Sequence, residues 1–320
     1  MRILITGGAG FIGSALAKEL INKNHDVTIV DNFFTGNINN LDHTIKNITF
    51  RNIDLSDETN IQELDNLLSN IDVVYHFAAS IGVKLVYEKP AETLQNSFKI
   101  NNNLFPIFEK HQVKVIFSST SEIYGETINE DGSKETDILK IFSPGKPRGS
   151  YACAKLMSEF LLKSYTFPNI IVRFFNVVGP GQVGDYGHVL PRFINAAVNN
   201  KSLEIYGDGS QIRSYCDIRD AVQMLILLLN HDHNNEIYNI GNDNNILSLN
   251  ELAATILTII DSISDVKHIS FEDAYNSSFE EIYKRFPNTD KIKKYYKCKY
   301  STDDIIRNIY ETNFSSCCSS

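Results

Sequence analysis

The 320-residue sequence contains no apolar run that approaches the roughly 18 residues needed to span a membrane. Its five cysteines show no paired spacing typical of a metal site, so we expect reduced thiols and no bound metal. The chain has no excess of basic residues, and its net charge of -9 argues against nucleic acid as a partner. The sequence begins with the strand-like MRILIT and shows no signal peptide, so we expect a cytoplasmic protein without membrane association.

The composition is that of a folded globular protein, with 42% hydrophobic and 22% charged residues. Apolar strand patterns alternate with helical patterns from the first residue to about residue 176. The predicted helices include 12–22, 96–110 and 151–164, and the predicted strands include RILIT, DVTIVD, DVVYHFAA and KVIFSS. This alternation predicts an α/β fold with a doubly wound parallel sheet, the Rossmann arrangement.

The pattern changes near residue 178, where loops rich in glycine and proline begin. A chain of this length exceeds the size at which one core keeps growing. We therefore predict a dinucleotide-binding domain over 1–177 and a second, smaller substrate domain over 178–320. One segment of the second part is expected to return to the first.

A glycine-rich stretch, TGGAGFIG, lies between the first strand and the first helix and places Gly7, Gly10 and Gly13 at GxxGxxG spacing. Glycines at these points allow a tight turn and a close approach of backbone N–H groups to a pyrophosphate. Asp31 ends the next strand, where a carboxylate can accept both hydroxyls of an adenine ribose. A glycine-rich turn without a ligand is the alternative. No arginine follows in NFFTGN, so NAD is favoured and NADP stays possible. The other predicted cofactor contacts are Phe11, Ile12, Asn32, Asp54 and Leu55.

Tyr151 and Lys155 lie four residues apart on a predicted helix and therefore share one face. A phenol needs a neighbouring cation to act as a base near neutral pH, and Lys155 beside a nicotinamide would supply it. Thr120, at the end of a predicted strand, can share a hydrogen bond with the same sugar oxygen.

These motifs occur together with RFFNVVGPGQ, YGDGSQIRSYCDIRD and RFPNTD, in the order found in extended short-chain dehydrogenase/reductases that act on nucleotide sugars. The sequence resembles that family over nearly its whole length. The resemblance implies a UDP-sugar substrate, with Tyr151 as base for the sugar C4 hydroxyl and Lys155 lowering its pKa and holding the nicotinamide ribose. It also implies a homodimer formed through the helices 96–110 and 151–164. The positions matching diphosphate contacts are Asn176, Arg213 and Arg285.

The triplet Thr120, Ser121, Glu122 bears on the step that follows oxidation at C4. A 4-keto sugar has an acidic C5 proton, and Glu122 is the candidate base. Three outcomes are open: loss of the C6 hydroxyl as water, inversion at a carbon, or loss of a C6 carboxylate as carbon dioxide. Retaining dehydratases of the family carry Thr-Asp-Glu, and Ser121 is a poor acid in place of that aspartate. Uronate decarboxylases of the family carry Thr-Ser-Glu, although SYACAK and YGHVLPRF look unlike their versions of these segments.

The overall resemblance favours a 4,6-dehydratase that acts on UDP-N-acetylglucosamine with inversion at C5. The alternatives are a UDP-sugar 4-epimerase, a UDP-glucuronate decarboxylase and, outside catalysis, an NAD-sensing binding module. Lys84, also a candidate substrate contact, and Cys153 are candidates for a second catalytic group. His76 is expected to stabilise the loop beneath the cofactor, and Tyr124 to pack at the cleft wall.

Overall fold

The computed structural model describes residues 1–41, 48–79, 89–141, 143–144, 146, 148–182, 188–230, 234–274 and 281–314. Within these residues, no helix combines the length and the apolar character that crossing a bilayer requires.

In the described part of the chain, seven strands form one parallel sheet. The strands are β1 (Arg2–Thr6), β2 (Asp26–Asp31), β3 (Ile48–Asn52), β4 (Val73–His76), β5 (Lys114–Thr120), β6 (Asn169–Phe174) and β11 (Glu236–Ile240). Their order across the sheet is β11-β6-β5-β4-β1-β2-β3. Most side chains of the central strands are buried, as expected for a sheet with helices on both faces. The predicted α/β, doubly wound parallel sheet is confirmed.

The chain leaves β1 in one direction for β2 and β3 and returns on the other side of β1 for β4 to β6. The strand order therefore reverses between β1 and β4. In open parallel sheets, a crevice opens at such a reversal beyond the carboxyl ends of the strands. The glycine-rich turn after β1 and Thr120 at the end of β5 both lie at this edge.

The helices that surround the sheet and the second part of the chain begin and end at the following residues: α1 (Phe11–Asn22), α2 (Ile61–Leu68), α3 (Pro90–His111), α4 (Arg148–Lys163), α5 (Val189–Val198), α6 (Ile218–Asn230), α7 (Leu249–Ile260), α8 (Phe271–Ala274), α9 (Asp290–Lys293) and α10 (Thr302–Phe314). Short 3-10 helices occur at Ile38–Asn40, Glu58–Asn60 and Ser121–Tyr124. Helix α3 begins earlier than the predicted 96 because Pro90 suits the first turn of a helix. Helix α4 begins one turn before the predicted 151, which brings Arg148 onto the helix of Tyr151.

The second part of the chain has its own apolar core, built from α5, α7, α10 and the strands between them. Its short strands are β7 (Val177–Val178), β8 (Leu203–Tyr206), β9 (Ile212–Ser214), β10 (Cys216–Asp217), β12 (Ile246–Ser248), β13 (Val266–Ile269) and β14 (Lys284–Arg285). These strands pair as β12-β9-β14, β10-β7 and β13-β8. Strand β11 leaves this part and joins the large sheet beside β6.

Candidate active site

A cleft of about 810 Å³ runs from the glycine-rich turn, past the ends of the sheet strands, to the second part of the chain. Most of the residues predicted for the site line it: Gly7, Gly10, Phe11, Ile12, Gly13, Asp31, Asn32, Asp54, Leu55, Thr120, Ser121, Glu122, Tyr151, Asn176, Arg213 and Arg285. Sequence positions almost 280 residues apart therefore meet around one cavity.

The turn between β1 and α1 is held so tightly that two of its glycines cannot be replaced without movement. Gly7 has a φ of +71°, which disfavours other residues, and its N–H donates to the Val30 carbonyl at 2.8 Å. A Cβ on Gly13 would lie 2.4 Å from the Gly7 carbonyl oxygen. Gly10 precedes α1 with extended backbone and no side-chain cap, so the first N–H groups of the helix face the cleft. The turn thus forms a cradle for an anionic group at a helix N-terminus.

Asp31, at the end of β2, has its carboxylate fixed by the backbone. Its Oδ2 accepts from the Ala9 N–H at 2.9 Å, and its Oδ1 accepts from the Phe33 N–H at 2.8 Å. Further along the cleft, burial opposes ionisation of Asp54, but hydrogen bonds from Ser56 and Asn32 outweigh it and lower the pKa of Asp54. The hydroxyl of Ser119, also at the cleft, is buried and has no hydrogen-bond partner among the described residues. The donor and acceptor groups of this end fit a dinucleotide along the glycine turn and Asp31.

Tyr151 on α4 and Thr120 at the end of β5 hydrogen-bond through their side chains. Burial raises the pKa of Tyr151 to about 12, and this hydrogen bond offsets only part of the increase. Lys155 lies behind Tyr151, where its ammonium donates to the Ser118 carbonyl at 2.7 Å and to the Ser118 hydroxyl at 3.3 Å. Burial lowers the pKa of Lys155 to about 8. The lowering of the Tyr151 pKa by Lys155 stays a prediction for the protein with its cofactor.

Glu122 lies in a group of charged side chains that we call the arginine cluster: Glu122, Arg148, Arg213, Glu281 and Arg285. Arg148 holds Glu122 in a two-pronged pair, with Nε to Oε2 at 2.8 Å and Nη2 to Oε1 at 3.0 Å. Arg285 also contacts Glu122. Glu281 accepts from Arg148 at 3.2 Å and from Arg213 at 2.7 Å. This end of the cleft, which the sequence predicts to bind the sugar and which we call the sugar end, is therefore crowded with opposite charges.

Among the described residues, three arginines and two glutamates form this cluster, in a largely buried place. Burial lowers the pKa of Arg285 to about 10. Burial also lowers the pKa of Arg213, and Glu281 offsets part of the decrease. Asn176, which has a φ of +31°, accepts from Arg285 at 2.9 Å and donates to the Ser214 carbonyl at 2.9 Å. An anionic ligand here would favour the charged form of Arg213 and Arg285, which burial disfavours.

Residues 3–241 match the NAD dependent epimerase/dehydratase family. The chain belongs to this family. Membership confirms the predicted resemblance and, at the level of the family, the predicted use of NAD.

Among proteins of known activity, the chain is similar to a UDP-N-acetyl-alpha-D-glucosaminuronate decarboxylase of Bacillus cytotoxicus. The two are 40% identical over 297 residues, which cover 92% of this chain and 91% of the relative. Among solved structures, it resembles a UDP-glucose 4-epimerase of Thermotoga maritima with UDP-glucose, with a TM-score of 0.86, 27% identity and 99% of both chains covered. It also resembles a UDP-glucuronic acid 4-epimerase of Bacillus cereus in complex with UDP-glucuronic acid and NAD. That match has a TM-score of 0.83 and 28% identity, and covers 97% of this chain and 98% of the other.

Several predicted candidates lie away from the reacting groups or outside the described residues. Lys84 lies outside the described residues. Cys153 is exposed on α4 and is not among the cleft-lining residues. Tyr124 is buried behind the cleft rather than at its wall, where it accepts from Arg173 at 2.8 Å. His76 is buried beneath the glycine turn and contacts the Thr6 hydroxyl at 2.7 Å and Asn101 at 3.1 Å.

Two residues that line the cleft, Arg148 and Glu281, are not among the site residues predicted from the sequence. Arg148 precedes Tyr151 by three residues, a spacing that places both on one side of a helix once the helix is extended by one turn. That spacing was the available signal. The sequence contains no comparable signal for Glu281, because its place in the cluster depends on ion pairs with Arg148 and Arg213 that form only in the folded protein.

Proposed function

We propose that this family member is an NAD-dependent decarboxylase of a UDP-hexuronate, with UDP-N-acetylglucosaminuronate as the preferred substrate. The observation that carries the proposal is the arginine cluster, which lines the same cleft as Thr120 and Tyr151 and brings three guanidinium groups to it. A uronate adds a carboxylate to the diphosphate that every UDP-sugar carries, so it suits a cleft with several guanidinium groups. The similarity to a uronate decarboxylase over nine-tenths of both chains supports the same conclusion.

The cofactor end accounts for dinucleotide binding. The pyrophosphate would lie against the glycine turn at the start of α1, and Asp31 would accept from the adenine ribose. When bound, NAD supplies a hydride acceptor for C4 of the sugar and can return that hydride. We propose that Asn176, Arg213 and Arg285 hold the sugar diphosphate at the other end of the cleft.

Tyr151 would take the proton of the C4 hydroxyl, with Thr120 sharing its hydrogen bond to hold the sugar oxygen in place. The buried ammonium of Lys155 would favour the phenolate form of Tyr151. Oxidation leaves a ketone at C4, which makes the C6 carboxylate part of a β-keto acid. The C5–C6 bond then breaks, its electron pair forms the C4–C5 enolate, and carbon dioxide leaves. A proton added to C5 completes this step.

A 4,6-dehydratase remains the competing prediction, and two features of the site disfavour it. Loss of the C6 hydroxyl as water needs an acid near C6, and Ser121 is a poor acid at the position where retaining dehydratases carry an aspartate. Glu122, the predicted C5 base, is held by two arginines. Decarboxylation needs neither an acid beside a departing hydroxyl nor a base that removes the C5 proton, because the C5–C6 bond itself supplies the electron pair.

Product analysis tests the proposal. The purified protein is incubated with NAD and, in separate reactions, UDP-N-acetylglucosaminuronate, UDP-glucuronate and UDP-N-acetylglucosamine, and the products are identified by mass spectrometry and NMR. We expect carbon dioxide and a UDP-pentose derivative from a uronate and no reaction with UDP-N-acetylglucosamine. Loss of water from UDP-N-acetylglucosamine with a new C6 methyl signal would instead establish the dehydratase, and unchanged mass with inversion at C4 the epimerase.

We also propose that the protein forms a homodimer through α3 and α4. Phe98 on α3 and Phe160 on α4 are 47% and 69% exposed, although these helices pack against each other. Large exposed aromatic side chains on neighbouring helices favour an interface. Sedimentation analysis should give a dimer, and Phe160→Asp should shift it toward the monomer; a monomeric wild-type protein would contradict the proposal.

A further inference from the structure

Two side-chain pairs connect the end of β5 and the following 3-10 helix to α4. The first is Thr120 with Tyr151, and the second is Glu122 with Arg148. The second pair lies two residues further along the chain after β5 and three residues back on α4. The pairs are therefore neighbours on the same two elements, and all four residues line the cleft.

This spacing matches the spacing of substituents on a sugar ring. Three residues of an α-helix correspond to a rise of about 4.5 Å. Neighbouring substituents of a pyranose lie within a few bond lengths of each other. If the C4 oxygen lies at Tyr151 and Thr120, a group on an adjacent ring carbon can therefore reach Arg148.

Arg148 binds two carboxylates of the protein itself. It holds both oxygens of Glu122 and one oxygen of Glu281, and its side chain is 16% exposed to the cleft. The planar guanidinium presents several N–H donors in a geometry that suits carboxylate groups. A neutral hydroxymethyl group would gain much less from this side chain than a carboxylate.

We propose that Arg148 is the residue that selects a uronate, by binding the C6 carboxylate of the substrate in exchange for part of its contact with Glu122 or Glu281. This inference rests on the proposed function, because it names the contact for the carboxylate that the reaction removes. In this proposal Glu122 also has a role other than that of a C5 base: its negative charge partly neutralises Arg148 and so weakens the attraction of Arg148 for the substrate carboxylate.

The partial neutralisation of Arg148 by Glu122 affects the rate because negative charge moves away from the C6 carboxylate during the reaction. As the C5–C6 bond breaks, charge leaves the carboxylate and develops on the C4 oxygen beside Tyr151. Only interactions that are stronger in the transition state accelerate the step. Without Glu122, Arg148 would stabilise the carboxylate of the bound substrate more than the transition state, and the activation barrier would rise. Arg148 paired with Glu122 can orient the carboxylate without binding it too strongly.

The test compares two ligands that differ only at C6, UDP-N-acetylglucosaminuronate and UDP-N-acetylglucosamine. Their dissociation constants are measured by calorimetry with NAD present, in the Tyr151→Phe background so that turnover does not interfere. Arg148→Met should weaken binding of the uronate by about tenfold or more, the effect of losing a charge-assisted hydrogen-bonded pair. Binding of the neutral sugar should stay near its original value. Arg148→Lys keeps the charge and should give an intermediate loss for the uronate.

Arg192→Met is the matched control. Arg192 also lines the cleft, but it stacks on the ring of Tyr206, with the guanidinium carbon 4.3 Å from the ring centre. Its replacement should change binding of both ligands by the same factor. Melting temperature and NAD affinity of each variant show whether the protein is folded.

Equal weakening of both ligands by Arg148→Met and Arg148→Lys would overturn the inference, because it would show a structural role. No weakening of either ligand would overturn it as well. Glu122→Gln provides an independent check: we expect tighter uronate binding and a lower kcat for release of carbon dioxide, whereas weaker binding would contradict this role of Glu122. Failure of the proposed function would look different, since wild-type protein would then release no carbon dioxide whatever the binding constants.

Discussion

The two ends of the cleft are built on different principles. At the cofactor end, backbone groups create the site, and Asp31 is already fixed by the N–H groups of Ala9 and Phe33. At the sugar end, the arginine cluster joins side chains from four separate stretches of sequence, and its own glutamates hold the guanidinium groups. The first end can accept a ligand without rearrangement, whereas the second must exchange protein carboxylates for ligand oxygens. Cofactor binding should therefore depend on shape, and substrate binding on charge.

The junction of the two ends should be the most sensitive to change. Tyr151→Phe removes one oxygen between the dinucleotide and the sugar and should lower kcat by about 10³-fold, the range expected for loss of a general base. The affinity for NAD should stay near its wild-type value because the glycine turn is untouched. Steady-state kinetics and a fluorescence titration with NAD measure the two quantities. An equal fall in kcat and in NAD affinity would show that the two ends are not separate.

Lowering the pH should destabilise the folded protein through His76, which is buried beneath the glycine turn. Burial lowers the pKa of His76 to about 4 from 6.5, so the folded protein resists its protonation. The unfolded chain binds that proton first as the pH falls below 6.5, so stability is lost between pH 6.5 and pH 4, by an amount on the order of 3 kcal/mol.

Urea unfolding of wild type and His76→Gln across this pH range measures the contribution. The variant should show a shallower loss of stability on acidification, whereas replacement of the exposed His268 by glutamine should leave the wild-type slope. Parallel slopes for wild type and His76→Gln would show that His76 does not carry the effect.

The dependence of cofactor binding on shape can be tested with a pair of glycines. A Cβ on Gly13 would lie 2.4 Å from the Gly7 carbonyl oxygen, whereas a Cβ on Gly10 would lie 3.2 Å from it. We expect Gly13→Ala to weaken NAD binding by about tenfold or more, a cost typical of overpacking, and Gly10→Ala to weaken it less. UDP binding should change little in either variant. A larger loss of NAD affinity in Gly10→Ala than in Gly13→Ala would contradict the prediction that the glycine turn binds the dinucleotide.

The dependence of substrate binding on charge predicts a smaller effect in the opposite direction. Glu281→Gln removes a negative charge that Arg148 and Arg213 share, so it should tighten binding of UDP by about three- to tenfold. The gain should shrink as salt concentration rises, because screening weakens interactions between charges. Calorimetry at low and high salt measures both. Weaker binding of UDP by the variant would show that Glu281 organises the cluster rather than competing with the ligand.

The same difference explains what the sequence could predict. The parallel sheet, the glycine turn and the pair Tyr151 and Lys155 follow from local spacing, and the structure has the predicted sheet. Arg148 and Glu281 cannot be recognised in this way, because the ion pairs that place them in the site are formed with residues distant in sequence. The triplet Thr120, Ser121, Glu122 predicts Glu122 as the C5 base, but the sequence does not show that Glu122 pairs with Arg148, which only the three-dimensional structure reveals.

The fate of the C6 carbon tests the central claim most directly. UDP-N-acetylglucosaminuronate labelled with ¹³C at C6 is incubated with the protein and NAD in deuterated water, and the reaction is followed by NMR. We predict that the label leaves as carbon dioxide and that one deuterium enters at C5 of the product. A product that keeps the labelled carboxylate, with or without inversion at C4, would contradict the account.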